Sequence, residues 1–564
     1  VKGDGAYAHA DWAEAEVELA DGTTVRLTGG GAFSTETLAD DLLPFSLQYG
    51  GRPAAELIPG WKKTTRTIQS QADVTTREIT WRDPETGLEC VLEMQTFAHF
   101  PAVEWVMRFR NTGKQDTPLI ENIRPLDMEW VPDDQSLLRR SYGSLCRSSD
   151  FQYRIDPLAT GETIAMAAGG GRSSNAWLPF FNLQTGRNGV IIGIGWSGPS
   201  DSYSPDEFTG DWAKHVGNWS INPAAHPNGL RPISDAAKAA GMKFLLWFEP
   251  ERAVNGTPLT VEHPDWFLGE RKPGHNMLFN LGLPEARRWL TDTLSEFMAE
   301  QGVQLYRQDF NFDPLPYWRA ADAPDRQGMT EIRHVEGLYD FWDELLRRQP
   351  GLVIDNCASG GRRIDLETIS RSIPLWRSDW QCGWINDGTP GQTHTMGLSY
   401  WVPLSGTGVL AGCRRAGDTY NFRSSLSAAI SFGIFPYESF PIEEQYPWDW
   451  HRRMLADFVR ARPLFYGDYY PLVANSPDYD VWAAFQMHRP DLGEGLVLAF
   501  RRKDAPFISA DFRLQGLDPA AEYELQDVDT GKTWKQSSKE LCERGVRVTL
   551  ERAPESRLVF YRKQ

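Results

Sequence analysis

The sequence predicts a multidomain chain: an antiparallel β-sandwich over residues 1–195, a (β/α)8 barrel of the TIM type over 196–465, and an antiparallel β domain over 466–564. Three observations predict it. At 564 residues the chain exceeds what one hydrophobic core usually serves. Short runs of alternating apolar and polar residues fill both ends, while between them apolar strands alternate with amphipathic helices.

The first part rests on segments such as AEVELADGTTVRL, REITWRDPETGLECVLEMQTF and AVEWVMRFRNTG. Their period of two and the Asp-Gly and Asn-Thr-Gly turn signals describe half-buried antiparallel strands. From about residue 230 the rhythm changes. GLRPISDAAKAAG reads as a helix and MKFLLWFEPE as a buried strand with a polar end. LPEARRWLTDTLSEFMAEQG carries Pro in its first turn and Gly at its close, the signals of a bounded helix. VQLYRQDF, HVEGLYDFWDELLRRQPG and LVIDNC continue the alternation, and continuous apolar strands between helices mean a parallel sheet covered on both faces. Six candidate strands follow residue 195, near 244–248, 303–308, 352–356, 373–378, 399–403 and 431–436. After residue 466, DVWAAFQMH, EGLVLAFRR, VRVTLERA and SRLVFYRK return to strand alternation.

Composition narrows the partners. A formal net charge of −18 repels phosphates and argues against nucleic acid. No run of eighteen apolar residues exists, so no membrane partner is expected. Six scattered cysteines do not form a disulfide scaffold, and the absence of CxxC or HExxH leaves no zinc ligand set; no cofactor or metal is expected. The chain opens VKGDGAYAHADW, without a basic-then-apolar leader, and cysteine usage mildly favours the cytoplasm.

The chemistry gathers at strand ends, where a barrel of this kind puts its active site. LLWFEPE supplies Glu249 and Glu251, LYRQDFN supplies Asp309, VIDNCASGGRR supplies Asp355, Cys357 and Arg363, and LWRSDW supplies Asp379. Several carboxylates with aromatics and no metal ligands fit glycosidic bond cleavage, which needs one carboxyl to attack or activate water and another to protonate the leaving oxygen. A single Asp after a strand is more often a cap or turn former. Asp309 and Asp379 are lifted above that by their company. Arg307, two residues before Asp309 on the same side of the strand, favours an ionised carboxylate. Asp379 lies between Trp376 and Trp380, where desolvation raises a carboxyl toward the range of a general acid.

NGLRPISDAAKAAGMKFLLWFEPERA, YRQDFN, NCASGGRRID, PLWRSDW and HFPAVEWVMRFRNTG, in that company, resemble the retaining α-galactosidases of glycoside hydrolase family 36. NCASGGRRID is similar to that family's Cys-Ser-Gly-Gly-Gly-Gly-Arg-Phe-Asp. The resemblance implies Asp309 as nucleophile and Asp379 as acid/base, about 5–5.5 Å apart as retention requires. It places Arg307 and Asn311 at sugar hydroxyls, and Cys357 and Gly360 near the 2-hydroxyl. Trp247, Arg363, Trp376, Asp211 and Trp212 complete the expected pocket. The substrate implied is an α-linked galactosyl oligosaccharide or glycoconjugate. An α-N-acetylgalactosaminidase, a galactosyl transferase and a non-catalytic carbohydrate-binding barrel are the rival readings. A homo-oligomer is consistent with the family.

Three departures accompany the resemblance. Arg307 stands where the family usually has Lys, and Trp380 replaces a polar residue. The family also carries two strands and a helix between the sandwich and the GLRP helix, whereas here GVIIGIGW runs directly into SGPSDSYSPDEFTGDW. The expectation is that chain is missing at this junction, the alternative being that Ile191 to Trp196 serves as a barrel strand.

Overall fold

The alternating residues between Lys62 and Asn111 pair into a four-stranded antiparallel sheet of Lys62–Ser70, Val74–Arg82, Leu88–Phe97 and Val103–Asn111. The structure, a computed structural model, describes residues 16–18, 24–26, 43–70, 73–127, 136–158, 163–185, 188–195, 216–217, 219–221, 226–382, 387–409, 417–432 and 446–564. Leu88, Cys90, Leu92 and Met94, two apart, all point inward and pack with Phe45, Leu47, Tyr49 and Ile79. The Asp83 carboxylate closes the DPETG turn by accepting from the N–H of Glu85 (3.1 Å) and of Thr86 (3.3 Å). A second antiparallel sheet runs in the order Tyr153–Pro157, Leu137–Tyr142, Trp177–Thr185, Asn188–Gly193. Residues 188–193 pair antiparallel with 180–185, so this segment belongs to the N-terminal sheets, and the alternative of a barrel strand at 191–196 is corrected.

The central region is built on parallel strands. β1 (Leu245–Phe248), β2 (Leu305–Gln308) and β3 (Val353–Asn356) lie side by side with β2 in the middle. Asp355 then forms a parallel bridge to Ile373, and Gly406 N–H donates to Pro374 O at 2.8 Å. That links β4 (Gly406–Val409) and its parallel neighbour β5 (Ala429–Phe432). Parallel pairing thus joins β1, β2, β3 and Ile373, and separately β4 and β5. Two expected strands are corrected. Residues 399–403 form the turn that follows the helix Thr389–Leu398, because the chain must reverse there before the strand at 406–409. The last strand is described at 429–432, with 433–436 outside the described residues. The gap expected near 195–199 falls, from 196 on, outside the described residues.

Helices α1 (Pro284–Gln301) and α2 (Met329–Arg348) cover this sheet. α1 has Pro in its first turn and ends at Gly302, whose φ of 74° is the left-handed conformation that glycine adopts without a Cβ penalty. Its Leu290, Leu294 and Met298 pack with Leu338, Phe341, Trp342 and Leu345 of α2 and with Phe248, Tyr306 and Ile354 of the strands. Trp342 is wholly buried, and its indole N–H donates to Gln308 Oε1 at 2.6 Å. Trp342→Ala is expected to lower the unfolding free energy by about 3–5 kcal/mol in urea denaturation, with Trp342→Phe losing less because the cavity is smaller.

Beyond Asp468 a six-stranded antiparallel sheet runs 468–471, 482–489, 494–501, 555–563, 522–527, 533–537. Val497, Ala499, Leu525 and Val559 from it pack against Phe512, Val546 and Val548 of a separate strand pair. No described helix is long and apolar enough to cross a membrane.

Candidate active site

Asp309 follows β2 directly. Its N–H still donates to Phe248 O at 2.8 Å, so the carboxyl emerges where the sheet finishes. Three donors hold it: Trp247 Nε1 on Oδ2 (3.1 Å), and the N–H of Phe310 (2.8 Å) and of Ser359 (3.1 Å) on Oδ1. Burial pushes this carboxyl up, but the Arg307 guanidinium and the donors outweigh it and hold Asp309 below the usual carboxylate range.

Asp379 begins the 3-10 turn Asp379–Cys382 and accepts from Trp376 Nε1 at 3.1 Å. Burial raises it to about 6, and the negative charge of Asp309 adds to that shift; Arg362 and Arg307 pull the other way. One loop touches both aspartates. Ser359 donates to Asp309, and the next residue, Gly360, lies against Asp379, where a Cβ would sit 2.7 Å from its nitrogen. With φ at 77°, position 360 requires glycine twice over. Joined by this loop and close enough for the charge of Asp309 to raise Asp379, the two carboxyls sit in opposed states, one ionised and one able to carry a proton near pH 6.

Of the other expected pocket residues, Trp247, Asn311, Cys357, Gly360 and Trp376 gather here. Asn311 Oδ1 accepts from Ser359 Oγ (3.0 Å), and the buried Cys357 thiol accepts from Gly360 N–H (3.3 Å). Arg307 Nη1 donates to Asp355 Oδ2 at 2.6 Å, and the guanidinium lies 5.8 Å from the centre of the Trp376 ring. Arg363 is a correction. Its guanidinium is buried behind the site, donating to Glu251 Oε1 (2.7 Å) and Asn356 Oδ1 (3.2 Å) between the rings of Phe310 and Trp342, because the wholly buried Glu251 requires a counter-charge. The remaining strand-end carboxylates are scaffold too. Glu249 takes a fork of bonds from Arg252 (2.8 and 2.6 Å), and Glu251 also binds Gln308 and His334. Asp211 and Trp212 lie outside the described residues. Cavities of about 310 Å³ around Ile221, Arg231 and Gln301, and of about 440 Å³ around Arg460, Glu494 and Arg562, contain neither aspartate.

This geometry can be set beside known proteins. The Melibiase family model matches residues 193–409, which enclose both aspartates. α-Galactosidase AgaA of Geobacillus stearothermophilus is 27% identical over 353 residues, covering 60% of this chain and 45% of that protein. An α-galactosidase of Escherichia coli is 31% identical over 240 residues, 40% of this chain and 32% of its own length. The solved GH36 AgaA structure superposes with a TM-score of 0.71 at 18% identity, covering 92% of this chain and 89% of that one. The chain is similar to GH36 α-galactosidases in its central sequence and shares their fold. It spans about half the length of the curated relatives it matches first, 45% and 46%.

Sequence reasoning missed two residues from turns of the N-terminal region that reach this site. Arg172, buried, donates to Phe310 O (3.3 Å), Ala358 O (3.2 Å) and Ser359 Oγ (3.0 Å) and pairs with Asp313. It braces the two loops whose N–H groups hold Asp309. Asp150 gathers Ser144 Oγ and the N–H groups of Leu145, Cys146 and Arg147, and takes Ser378 Oγ at 2.6 Å beside Asp379. A contact across 228 positions leaves no local pattern in the sequence.

Proposed function

We propose that this chain is a retaining, exo-acting α-galactosidase that cleaves terminal α-linked galactose from oligosaccharides or glycoconjugates. The observation that carries this reading is the pair of carboxyls with opposed protonation, Asp309 low and Asp379 at about 6, served by one loop. Family likeness supports it, and a variant of AgaA, 19% identical over 97% of this chain with a TM-score of 0.71, was solved with stachyose.

The Asp309 carboxylate attacks the anomeric carbon as Asp379 gives its proton to the departing oxygen, leaving a covalent β-galactosyl ester. Asp379, now anionic, takes a proton from water, which attacks the same carbon and restores the α configuration. Trp247 and Ser359 keep the Asp309 oxygens aimed, and Trp376 orients Asp379. Arg307 and Asn311 serve sugar hydroxyls, while the Cys357–Gly360 turn leaves room for a 2-hydroxyl and little for a 2-acetamido group. The working unit is the barrel proposed over 196–465, flanked by the β domains at 1–195 and 466–564.

A panel of 4-nitrophenyl α-glycosides followed by proton NMR tests this. Galactoside hydrolysis should exceed that of the 2-acetamido analogue, with α-galactose appearing first. Initial release of β-galactose would overturn retention, and turnover of other α-glycosides alone would overturn the sugar.

A further inference from the structure

Every guanidinium so far described at the site answers to a carboxylate. Arg172 pairs with Asp313, Arg252 with Glu249, Arg307 with Asp355 and Arg363 with Glu251. Arg377 has none, but it is wholly buried and donates to Gly391 O and Thr395 Oγ1 of the helix Thr389–Leu398. Arg362 differs from all of these. It is half-buried, and no described carboxylate lies within ion-pair distance of it. Among the described residues its one hydrogen-bond partner is the Cys146 thiol, which accepts from Nη2 at 2.8 Å and donates onward to Ser359 O (3.6 Å). Burial is the main cause raising the Cys146 pKa, so the thiol stays neutral and does not cancel the guanidinium's charge.

Arg362 lies near enough to Asp379 for its charge to act on that carboxyl. Gly361 N–H donates to Arg377 O (2.8 Å), and Gly360 bridges Ser378, so residues 360–362 run beside 377–379. Cys146 and Ser378 are both held by the Asp150 carboxylate. In the motif quoted above, Arg362 occupies a place where the family has glycine. A chain with 18 excess negative charges has therefore put beside Asp379 a cation that pairs with no carboxylate among the described residues.

We infer that Arg362 recognises an anionic group, a carboxylate or a sulfate, on the leaving-group side of the substrate, so that this chain favours acidic α-galactosides. The inference rests on the function proposed above. A guanidinium binds such a group through a charge-assisted, forked pair of hydrogen bonds, for which it is better shaped than an ammonium.

The test compares 4-carboxyphenyl α-galactoside with its neutral methyl ester in wild type, Arg362→Gln and Arg362→Lys. The ratio of kcat/KM for the acid over the ester cancels fold-wide effects of each substitution. That ratio is expected to fall about 10- to 100-fold in Arg362→Gln, the loss of a charged hydrogen bond, and to recover in part in Arg362→Lys. Added salt should raise KM for the acid more than for the ester in wild type. An equal ratio in wild type and Arg362→Gln overturns the inference while leaving α-galactoside hydrolysis standing. No turnover of either glycoside by the wild type overturns both.

Discussion

Asp309→Ala is expected to abolish hydrolysis of 4-nitrophenyl α-galactoside, with kcat/KM falling by on the order of 10⁴–10⁶, the cost of removing an enzyme's nucleophile. Two features make this the largest expected effect. Asp309 is held ionised against its burial, which a structural turn former would not need. Its two oxygens also take three donors from three parts of the chain, fixing the direction of attack. Asp309→Asn keeps the volume and separates chemistry from folding, since the amide fits the same space without the negative charge. Azide added to Asp309→Ala should restore turnover of an activated glycoside by entering from the vacated face, giving β-galactosyl azide. Full activity in either variant would show that another group attacks.

Asp379 sets the second large effect, on the pH profile. The mechanism needs Asp309 ionised and Asp379 protonated in the first step. Asp309 titrates below the usual carboxylate range, so activity falls on its account only in strongly acid solution. Asp379 titrates at about 6, so kcat/KM for a poor leaving group is lost as pH rises through about 6. Asp379→Ala should remove that alkaline limb and cost about 10²–10⁴-fold with an unactivated galactoside. A dinitrophenyl leaving group needs no proton, so its first step should be largely spared and the galactosyl-enzyme should accumulate. Azide then captures the intermediate as α-galactosyl azide, the opposite anomer from that given by Asp309→Ala. An unchanged alkaline limb in Asp379→Ala would remove Asp379 from the acid/base role.

What the sequence made legible follows from range. Helices α1 and α2 were readable because their period, proline and glycine signals are local. Asp309 and Asp379 stood out because their tuning groups, Arg307 and Trp376, lie within three residues of them. The strand at 406–409 was misplaced because GTGV has little apolar signature and its pairing depends on Pro374 and Ala429. Arg363 was drawn to the sugar by its motif, yet the buried charge of Glu251, 112 positions away, claims it. Arg172 and Asp150 carried no signal of their place at the site, since the partners that put them there lie 138 to 228 positions downstream.

Arg172 and Asp150 precede the parallel strands and brace the segments that carry Asp309 and Asp379, so those strands do not make a self-sufficient cassette. Transplanting residues 226–432 alone would leave the Phe310, Ala358 and Ser359 groups that answer Arg172, and the Ser378 hydroxyl that answers Asp150, without their partners. Both loops would lose their bracing at once, so residues 150 and 172 belong to the smallest piece that keeps the strand ends in place.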